Sequence, residues 1–233
     1  MWIELVDLLR CPREHEDSWL VLSATRIVDR HVVEGTLGCH ICGREYQLLD
    51  GVADLRDAEG DPDALPTTDA GEPTFAPQAA PAGGEYAPAA APTPIPAAEL
   101  ATMLAAYANL ADAGGCAAIG GSPQLSTAAE VIGELTGVAV LLVNPTEPLP
   151  QGLSGIRCGH TLPISSNGLR ALVLDAATAA GLDLATACRR VRPGGRIVLP
   201  AGTRLPPGAR ELAHDSEWLV AERTPPRVEL RRA

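Results

Sequence analysis

The segment Cys188–Pro200 constrains the fold more than any other part of this sequence. It places Arg189 and Arg190, typical of the last turn of a helix, just before a Pro-Gly-Gly turn and the apolar run Ile197–Leu199. The pattern predicts a helix that ends, turns and continues as a strand. A helix joined to a strand in this way is the unit from which α/β sheets are built.

The remainder of the C-terminal half, residues 98–233, repeats this alternation. Apolar residues at helical spacing predict its first helix: Leu100, Met103, Leu104, Tyr107 and either Leu110 or Ala111. Short apolar runs predict strands at Cys116–Ile119, Val138–Val143 and Leu172–Leu174, and Thr127–Glu130 predicts a capping box for the helix between the first two. Strands separated by helices imply a Rossmann-like, mostly parallel sheet.

The tail of the chain has a different pattern. Glu217–Thr224 and Arg227–Arg231 each alternate in the manner of a strand, and Pro225 and Pro226 lie between them. We therefore expect the parallel sheet to finish in an antiparallel C-terminal hairpin.

Residues 1–57 predict a small β module. The amphipathic turn Trp2–Arg10 runs into Cys11, and two strand-like runs, Trp19–Leu22 and Ile27–Leu37, lead to Cys39 and Cys42. Pairs of soft ligands on two tight turns are what tetrahedral zinc requires. A small module with few large apolar residues also needs a cross-link such as a bound metal to be stable. The sequence predicts a zinc site here.

The remaining cysteines are Cys116, Cys158 and Cys188, each isolated in apolar surroundings. A free cysteine in such a context behaves as a small buried hydrophobic residue. We expect all three to be packing residues. Six cysteines without a signal peptide argue against a disulfide framework.

Residues 58–97 join the two halves and are expected to be a linker. They contain nine Pro, twelve Ala, six acidic residues and no basic residue. Such a stretch cannot bury enough apolar surface to offset the entropy of ordering it. The alternative is a segment around Pro92–Pro96 that docks a partner.

Charge and hydropathy narrow the functional classes. The net charge is −11, made of eleven acidic and six basic residues in 1–57, six acidic in 58–97, and twelve of each sign thereafter. Because a nucleic-acid footprint would be basic, direct nucleic-acid binding is not expected. No run of eighteen apolar residues exists, and Glu4 and Asp7 stand where a signal peptide would be positive, so we expect a cytoplasmic protein with no membrane role.

The N-terminal module resembles the zinc-ribbon activator family of tRNA and protein methyltransferases. The residues that carry the resemblance are Leu8, Leu9, Cys11, Pro12, Cys39, Cys42, Gly43, Tyr46 and the segment Asp50–Leu55. The family pattern Cys-Pro-x-Cys would place its second ligand at Glu14. We expect His15 to take that place, which gives Cys11, His15, Cys39 and Cys42 as the zinc ligands.

Three points about this module stay open at the level of sequence. His40 is a rival for the fourth ligand, His31 is expected to be a solvated strand residue, and the ribbon could instead lack zinc and rely on its apolar core. In each case the module would be a poor enzyme, because a closed site of four protein ligands leaves no position for substrate.

The C-terminal half resembles class I S-adenosylmethionine-dependent methyltransferases, through the Pro-Gly-Gly turn and the final hairpin. The resemblance implies a cofactor site that this chain has largely lost. In the first loop, Ala118 stands in place of an acidic residue, Gly120 is retained, and Ser122 and Gln124 stand in place of glycines. Asn144 stands in place of the acidic residue that binds the ribose hydroxyls. Cys158 stands in place of the Asp that binds the adenine amino group, in a loop that keeps Leu162 and Pro163. The cofactor-binding candidates are therefore degenerate: Gly120, Gly121, Ser122, Asn144 and Cys158.

No residue can be assigned as catalytic from the sequence. Asp175 follows a predicted strand and could orient a nucleophile, although an acid there more often caps the next helix; His160 and His214 are lone histidines. Phosphate-loop, nucleophile-elbow and His-Glu-x-x-His motifs do not occur.

The sequence thus supports two hypotheses and leaves open whether the chain is an enzyme. The first is a pseudoenzyme: a methyltransferase-like accessory protein that acts through a protein partner, a methyltransferase being one candidate. The second is an active S-adenosylmethionine-dependent methyltransferase with an atypical site. A third and weaker idea is that the pocket holds another small ligand.

Overall fold

The computed structural model describes residues 1–56, 95–150 and 152–225. It has a mixed α/β fold with one large sheet and few helices, as the sequence predicts at that level. Residues Met1–Asp57 and Pro96–Ala233 belong to one compact unit. The linker expected at 58–97 therefore lies outside the described residues, apart from its last three.

The described residues contain five helices and eleven strands. The helices are α1 (Ile3–Val6), α2 (Ala97–Tyr107), α3 (Pro123–Thr136), α4 (Ala176–Gly181) and α5 (Leu184–Arg190). The strands are β1 (Leu20–Val28), β2 (His31–Cys39), β3 (Glu45–Leu49), β4 (Val52–Asp54), β5 (Cys116–Gly120), β6 (Ala139–Val143), β7 (Ser154–Arg157), β8 (Leu169–Val173), β9 (Val191–Pro200), β10 (Ala209–His214) and β11 (Trp218–Arg223). None of these helices is both long and apolar enough to cross a membrane.

All eleven strands belong to a single sheet in the order β1-β2-β3-β4-β7-β6-β5-β8-β9-β11-β10. Strands β1 to β4 form an antiparallel meander. The next pairs, from β4–β7 through β8–β9, are parallel, and β11 then runs antiparallel to both β9 and β10. The three sections match the three patterns in the sequence: an N-terminal β module, parallel strands and a final antiparallel hairpin.

The N-terminal module and the parallel strands share one hydrophobic core. The parallel pair between β4 and β7 joins them in the sheet, with Ala53 opposite Ile156. Leu9 forms an isolated bridge with Ile164, and the backbone N–H of Ser165 donates to the Leu8 carbonyl at 2.7 Å. Leu9, Ile156 and Ile164 are fully buried in the same cluster. Packing of the module thus depends on strands more than a hundred residues away.

The first hairpin differs from the two strand-like runs expected for it. Ile27 and Val28 belong to β1, and the chain reverses at Asp29 and Arg30, whose φ angles are 47° and 66°. Two consecutive residues with positive φ are typical of the tight turn that suits the twist of a two-stranded hairpin. The sequence did not reveal this turn because the pair lacks the glycine that usually marks it.

The strand expected at Glu217–Thr224 is present as β11, but its hairpin partner is not the segment that the sequence suggested, Arg227–Arg231. The partner of β11 is β10, which lies before it in the chain, and residues 226–233 are outside the described residues. Asp215 closes the turn by accepting the N–H groups of Glu217 and Trp218 at 2.8 and 2.7 Å. Strand β10 is largely exposed, so it has no apolar alternation for a sequence pattern to detect.

Two further local predictions are corrected, one about a turn and one about the start of a helix. The Pro-Gly-Gly segment is a bulge within β9: Leu169 pairs with Val191 and Ala171 with Arg196, so the β9 side carries three extra residues. The capping box at Thr127 does not form. Helix α3 begins earlier, at Pro123, because proline is suited to the first helical position, and the Thr127 hydroxyl donates to the Pro123 carbonyl at 3.0 Å.

Candidate metal centre and carboxyl-edge site

The structure brings four predicted ligands together at the tip of the N-terminal module. Sulfur atoms of Cys11, Cys39 and Cys42 and a ring nitrogen of His15 all lie within 4.8 Å of one another. Cys11 and His15 come from the segment after α1, whereas Cys39 ends β2 and Cys42 lies in the turn before β3. This group of four could hold a metal ion.

The distances between the donor atoms fit zinc. Zn–S bonds of about 2.3 Å at tetrahedral angles separate two sulfur atoms by about 3.8 Å. The Cys11 and Cys42 sulfur atoms are 3.8 Å apart, and the Cys39 sulfur lies 3.4 Å from Nε2 of His15. Three thiols and one imidazole form an accepted structural zinc set. These residues would hold zinc in a closed site, where the ion would serve as a structural cross-link.

The surroundings of Cys39 and Cys11 shift the pKa values of their thiols in opposite directions. Burial works to raise the pKa of Cys39, but backbone N–H groups of Cys42 and Ile41 and the neighbouring thiols stabilise its thiolate and lower that pKa to about 6. Burial raises the pKa of Cys11 to about 11, opposed by the Tyr46 hydroxyl, which lies 3.3 Å from its sulfur. Tyr46 is itself 3% exposed, so it fixes the position of Cys11 from inside the core.

The rival candidates fall outside the group of four. Glu14 is exposed. His40 is exposed as well, with Nδ1 3.4 Å from the Ser18 hydroxyl and its ring beside that of Trp19. His31 begins β2, as a strand residue was expected there, and it is half-buried: its ring lies 4.0 Å from that of Trp2, and Nε2 is 2.8 Å from the Gly152 carbonyl oxygen.

The second set of candidates lies at the carboxyl ends of adjacent parallel strands. Gly120 ends β5 and Ser122 caps α3, Asn144 follows β6, and Cys158 follows β7. The structure thus places Gly120, Gly121, Ser122, Asn144 and Cys158 along one edge of the sheet, where the resemblance puts the cofactor. Strand order reverses between β5 and β8, and in open α/β sheets such a switch point is where ligands bind.

The space beside the two glycines is filled by the chain itself. A Cβ on Gly121 would lie 2.5 Å from the nitrogen of Pro145 and 2.7 Å from the carbonyl carbon of Asn144. The Gly121 N–H donates to the Val143 carbonyl at 2.8 Å, and its own carbonyl accepts the N–H of Thr146 at 3.1 Å. Gly121 is therefore a glycine because the backbone of the loop after β6 packs against it.

Gly120 has an equivalent internal reason. A Cβ there would lie 2.5 Å from Oδ2 of Asp175. Asp175 caps α4, since Oδ1 accepts the N–H of Thr178 at 2.8 Å and Oδ2 accepts its hydroxyl at 3.0 Å. The capping interpretation of Asp175 agrees with this geometry.

Asn144 and Cys158 are also engaged with each other. Oδ1 of Asn144 accepts the backbone N–H of Cys158 at 2.8 Å, which links the ends of β6 and β7. Asn144 adopts a φ of 54°, a conformation that asparagine tolerates better than most residues. Cys158 is 5% exposed, and burial raises the pKa of its thiol to about 12. Such a thiol is a packing residue, as are the buried Cys116 and Cys188.

The remaining polar candidates show no catalytic constellation among the described residues. His160 is exposed, with Nδ1 3.3 Å from the Gly181 carbonyl oxygen, and His214 is exposed and paired with Glu211 at 2.7 Å. The sequence interpretation missed Pro145, the residue that covers Gly121. The Asn-Pro pair directly after an apolar strand was the available signal, because it marks a tight turn.

Comparison with known proteins adds a distant structural likeness. No protein-family model matches the chain, and no curated protein matches it. The crystal structure of the antibiotic-resistance methyltransferase Kmr aligns with a TM-score of 0.37 and 14% sequence identity, over 57% of this chain and 95% of that one. A likeness at this level has no bearing on activity.

Proposed function

We propose that this chain is a methyltransferase-like accessory protein, a pseudoenzyme that acts through protein interaction and carries a zinc-ribbon module resembling methyltransferase activators. The observation that carries the proposal is the packing of Pro145 on Gly121. The protein's own loop lies where S-adenosylmethionine would need to approach the backbone beside the first strand.

The strand order supports the methyltransferase-like part of the proposal. Strands β7-β6-β5-β8-β9 follow the 3-2-1-4-5 order of a doubly wound Rossmann sheet when numbered from β5. Strand β11 then enters antiparallel beside β9, as in the final hairpin of the family that the sequence resembles. The cofactor in such a sheet would lie at the edge formed by Gly120, Asn144 and Cys158.

The chemistry of that edge supports loss of binding. A hydrogen bond to a charged group contributes about 1.5–3 kcal/mol, so absence of the ribose and adenine carboxylates removes roughly 3–6 kcal/mol. That is about two to four orders of magnitude in affinity. Asn144 is also turned toward the Cys158 N–H, and Asp175 toward Thr178, so both acceptors already have internal donors.

The N-terminal module supports the accessory part. Its candidate zinc site uses four protein ligands and leaves no open position for substrate. Strand β4, at the end of the module's meander, is already paired with β7 of the same chain. A partner, for which a methyltransferase is one candidate, would therefore have to use another surface.

The second candidate function is an active S-adenosylmethionine-dependent methyltransferase with an atypical cofactor site. The observation in its favour is that polar side chains still line the carboxyl edge: Ser122, Asn144 and Asp175. Asn144 could donate and accept at a ribose hydroxyl if it released Cys158.

A calorimetric titration with S-adenosylmethionine and S-adenosylhomocysteine tests the proposal. We expect no saturable binding below about millimolar concentration. The variant Asn144→Asp keeps an acceptor for the Cys158 N–H and restores a carboxylate, so it should gain affinity if the edge corresponds to the cofactor site. Micromolar binding by the unmodified chain would favour the active enzyme instead.

A further inference from the structure

Arg190 carries a charge that its described surroundings leave unpaired. Its Nε is buried and has no hydrogen-bond partner, and its Nη1 has only a 3.4 Å contact with the Ser166 hydroxyl. None of the ion pairs in the described part of the chain includes it. Arg190 as a whole is half-buried, but its Nε has lost contact with water without gaining a partner, which costs free energy. Such a cost is commonly retained where a ligand supplies the missing charge.

Two further arginines lie in the same region. The loop between β7 and β8 joins them: the N–H of Asn167 donates to the Arg189 carbonyl at 3.1 Å, and the N–H of Arg10 donates to the Pro163 carbonyl at 2.9 Å. Burial lowers the pKa of Arg190; the Asp17 carboxylate opposes this, and the positive charges of Arg189 and Arg10 add to it. Arg190 contacts Ser166 of the same loop, so all three arginines border this loop.

The acidic side chains in this region do not balance the arginines. Asp17 is the carboxylate that Arg190 senses, and it lies 3.8 Å from Nε of Arg10 with 58% of its side chain exposed. Among the described residues, the Arg189 guanidinium donates to the Thr186 hydroxyl alone, at 3.0 Å. Arg10 would act mainly through its positive charge, because its Nη1 already donates to the Asp7 and Leu9 carbonyls. Arg223 donates to the carbonyls of Arg189 and Val191 and adds a fourth cation, and Asp183, which accepts the Thr186 hydroxyl, adds a second anion. Four cations and two anions leave a local charge of +2.

The charge indicates the class of ligand. A phosphate monoester carries about −1.5 to −2 near pH 7, which matches the local excess better than a single carboxylate does. The guanidinium fork of arginine also matches phosphate oxygens in geometry. Arg190 ends α5, just before β9 begins, so it lies at the amino ends of the parallel strands, whereas Gly120 and Asn144 lie at the carboxyl ends.

We propose that Arg190, supported by Arg189 and Arg10, binds the phosphate monoester group of a ligand at the amino edge of the sheet. The site is independent of the proposed function, because none of its residues belongs to the zinc site or to the carboxyl edge.

The test measures binding to the full-length, zinc-loaded chain by calorimetry in phosphate-free buffer. O-phosphoserine, a neutral heptapeptide with one phosphoserine, and a single-stranded octanucleotide without terminal phosphates are the probes. We expect both monoesters to bind saturably, and Arg190→Gln to weaken them at least about tenfold. Arg204→Gln, which removes an exposed arginine elsewhere, should change them less than about twofold.

The probes also distinguish the sources of the phosphate. Equal affinity for O-phosphoserine and the peptide would indicate a small phosphorylated metabolite, and tighter binding of the peptide a phosphoprotein. Either outcome supports the site. Failure of both monoesters to bind, binding of the octanucleotide alone, or equal losses in Arg190→Gln and Arg204→Gln would overturn it.

A stability measurement separates a binding role from a structural one. In Arg190→Met a half-buried guanidinium with an unpartnered Nε is replaced by an apolar side chain of similar length, so the melting temperature without ligand should rise. The same variant should lose the increase in melting temperature that O-phosphoserine gives the wild type. A fall in melting temperature without ligand would show that the guanidinium holds the fold together, and the proposal would fail.

Discussion

The two candidate sites of this chain differ in what the structure places at them. In the N-terminal module, Glu14 lies outside the metal-binding group, but His15 lies within it, and the distances between the donor atoms suit zinc. At the carboxyl edge, the changed residues are accompanied by a loop that packs on Gly121. A metal site needs four donor atoms within a small volume, whereas a cofactor site also needs an empty space.

The comparison teaches that the two kinds of site depend on different ranges of the chain. Cys39 and Cys42 are fixed by one turn, and their partners approach on a neighbouring segment. The space beside Gly121 depends on where the loop after β6 turns, some twenty residues later in the chain. A substitution can be repaired locally in the first case but not in the second.

Removal of the metal should have the largest effect and would break the comparison if it had none. We expect one zinc per chain, lost in Cys39→Ala, and a chelator should lower the melting temperature by more than about 10 °C because structural zinc contributes roughly 10–16 kcal/mol of binding free energy. Elemental analysis and thermal unfolding measure both. Cys188→Ala is the control that keeps zinc. Wild-type protein without zinc would show that the apolar core alone holds the module.

His15→Ala should have the next largest effect. Loss of one ligand from four leaves an open coordination position and a weaker, exchangeable site. We expect zinc to be lost on mild dialysis, whereas Glu14→Ala should retain it. If His15→Ala kept its zinc and Glu14→Ala did not, the local repair described above would be attributed to the wrong residue.

Gly121→Ala sharpens the comparison at the other site. Because the new Cβ would meet the backbone of Pro145, we expect a loss of about 1–3 kcal/mol, or about 2–12 °C in melting temperature. Gly159→Ala is the matched control, since a Cβ there has no neighbour within 4 Å. Unchanged stability in Gly121→Ala would mean that the loop can leave the glycine, and an open cofactor site would become plausible.

Cleavage of the connector should have the smallest effect. A nonspecific protease is expected to cut within 58–97 first and to give fragments near 1–57 and 98–233. Because β4 pairs with β7 and the two segments share a core, the fragments should elute together in size-exclusion chromatography without denaturant. Separate elution would contradict the shared core, and resistance of the connector to protease would contradict the linker interpretation.

Several features could be predicted from sequence because they depend on short-range patterns. The alternation of helices and strands after residue 98 predicted β5, β6, β8 and β9, since a buried strand needs a continuous apolar run. Cys39 and Cys42 could be found for a similar reason, because two ligands of one metal ion on a tight turn must be a few residues apart. Strand β10 could not be found, because it is mostly exposed and has no apolar pattern.

The sequence by itself determined the mixed α/β class and the three cysteines of the candidate metal site, and it favoured His15 over Glu14 and His40 as the fourth ligand. Tertiary structure alone decided that β4 pairs with β7, that Pro145 covers Gly121, and that Arg190 has no hydrogen-bond partner for its buried Nε. The physical reason is distance along the chain. Periodicity and chelate spacing act over a few residues, whereas cavities, shared cores and charge imbalance arise only when distant segments pack together.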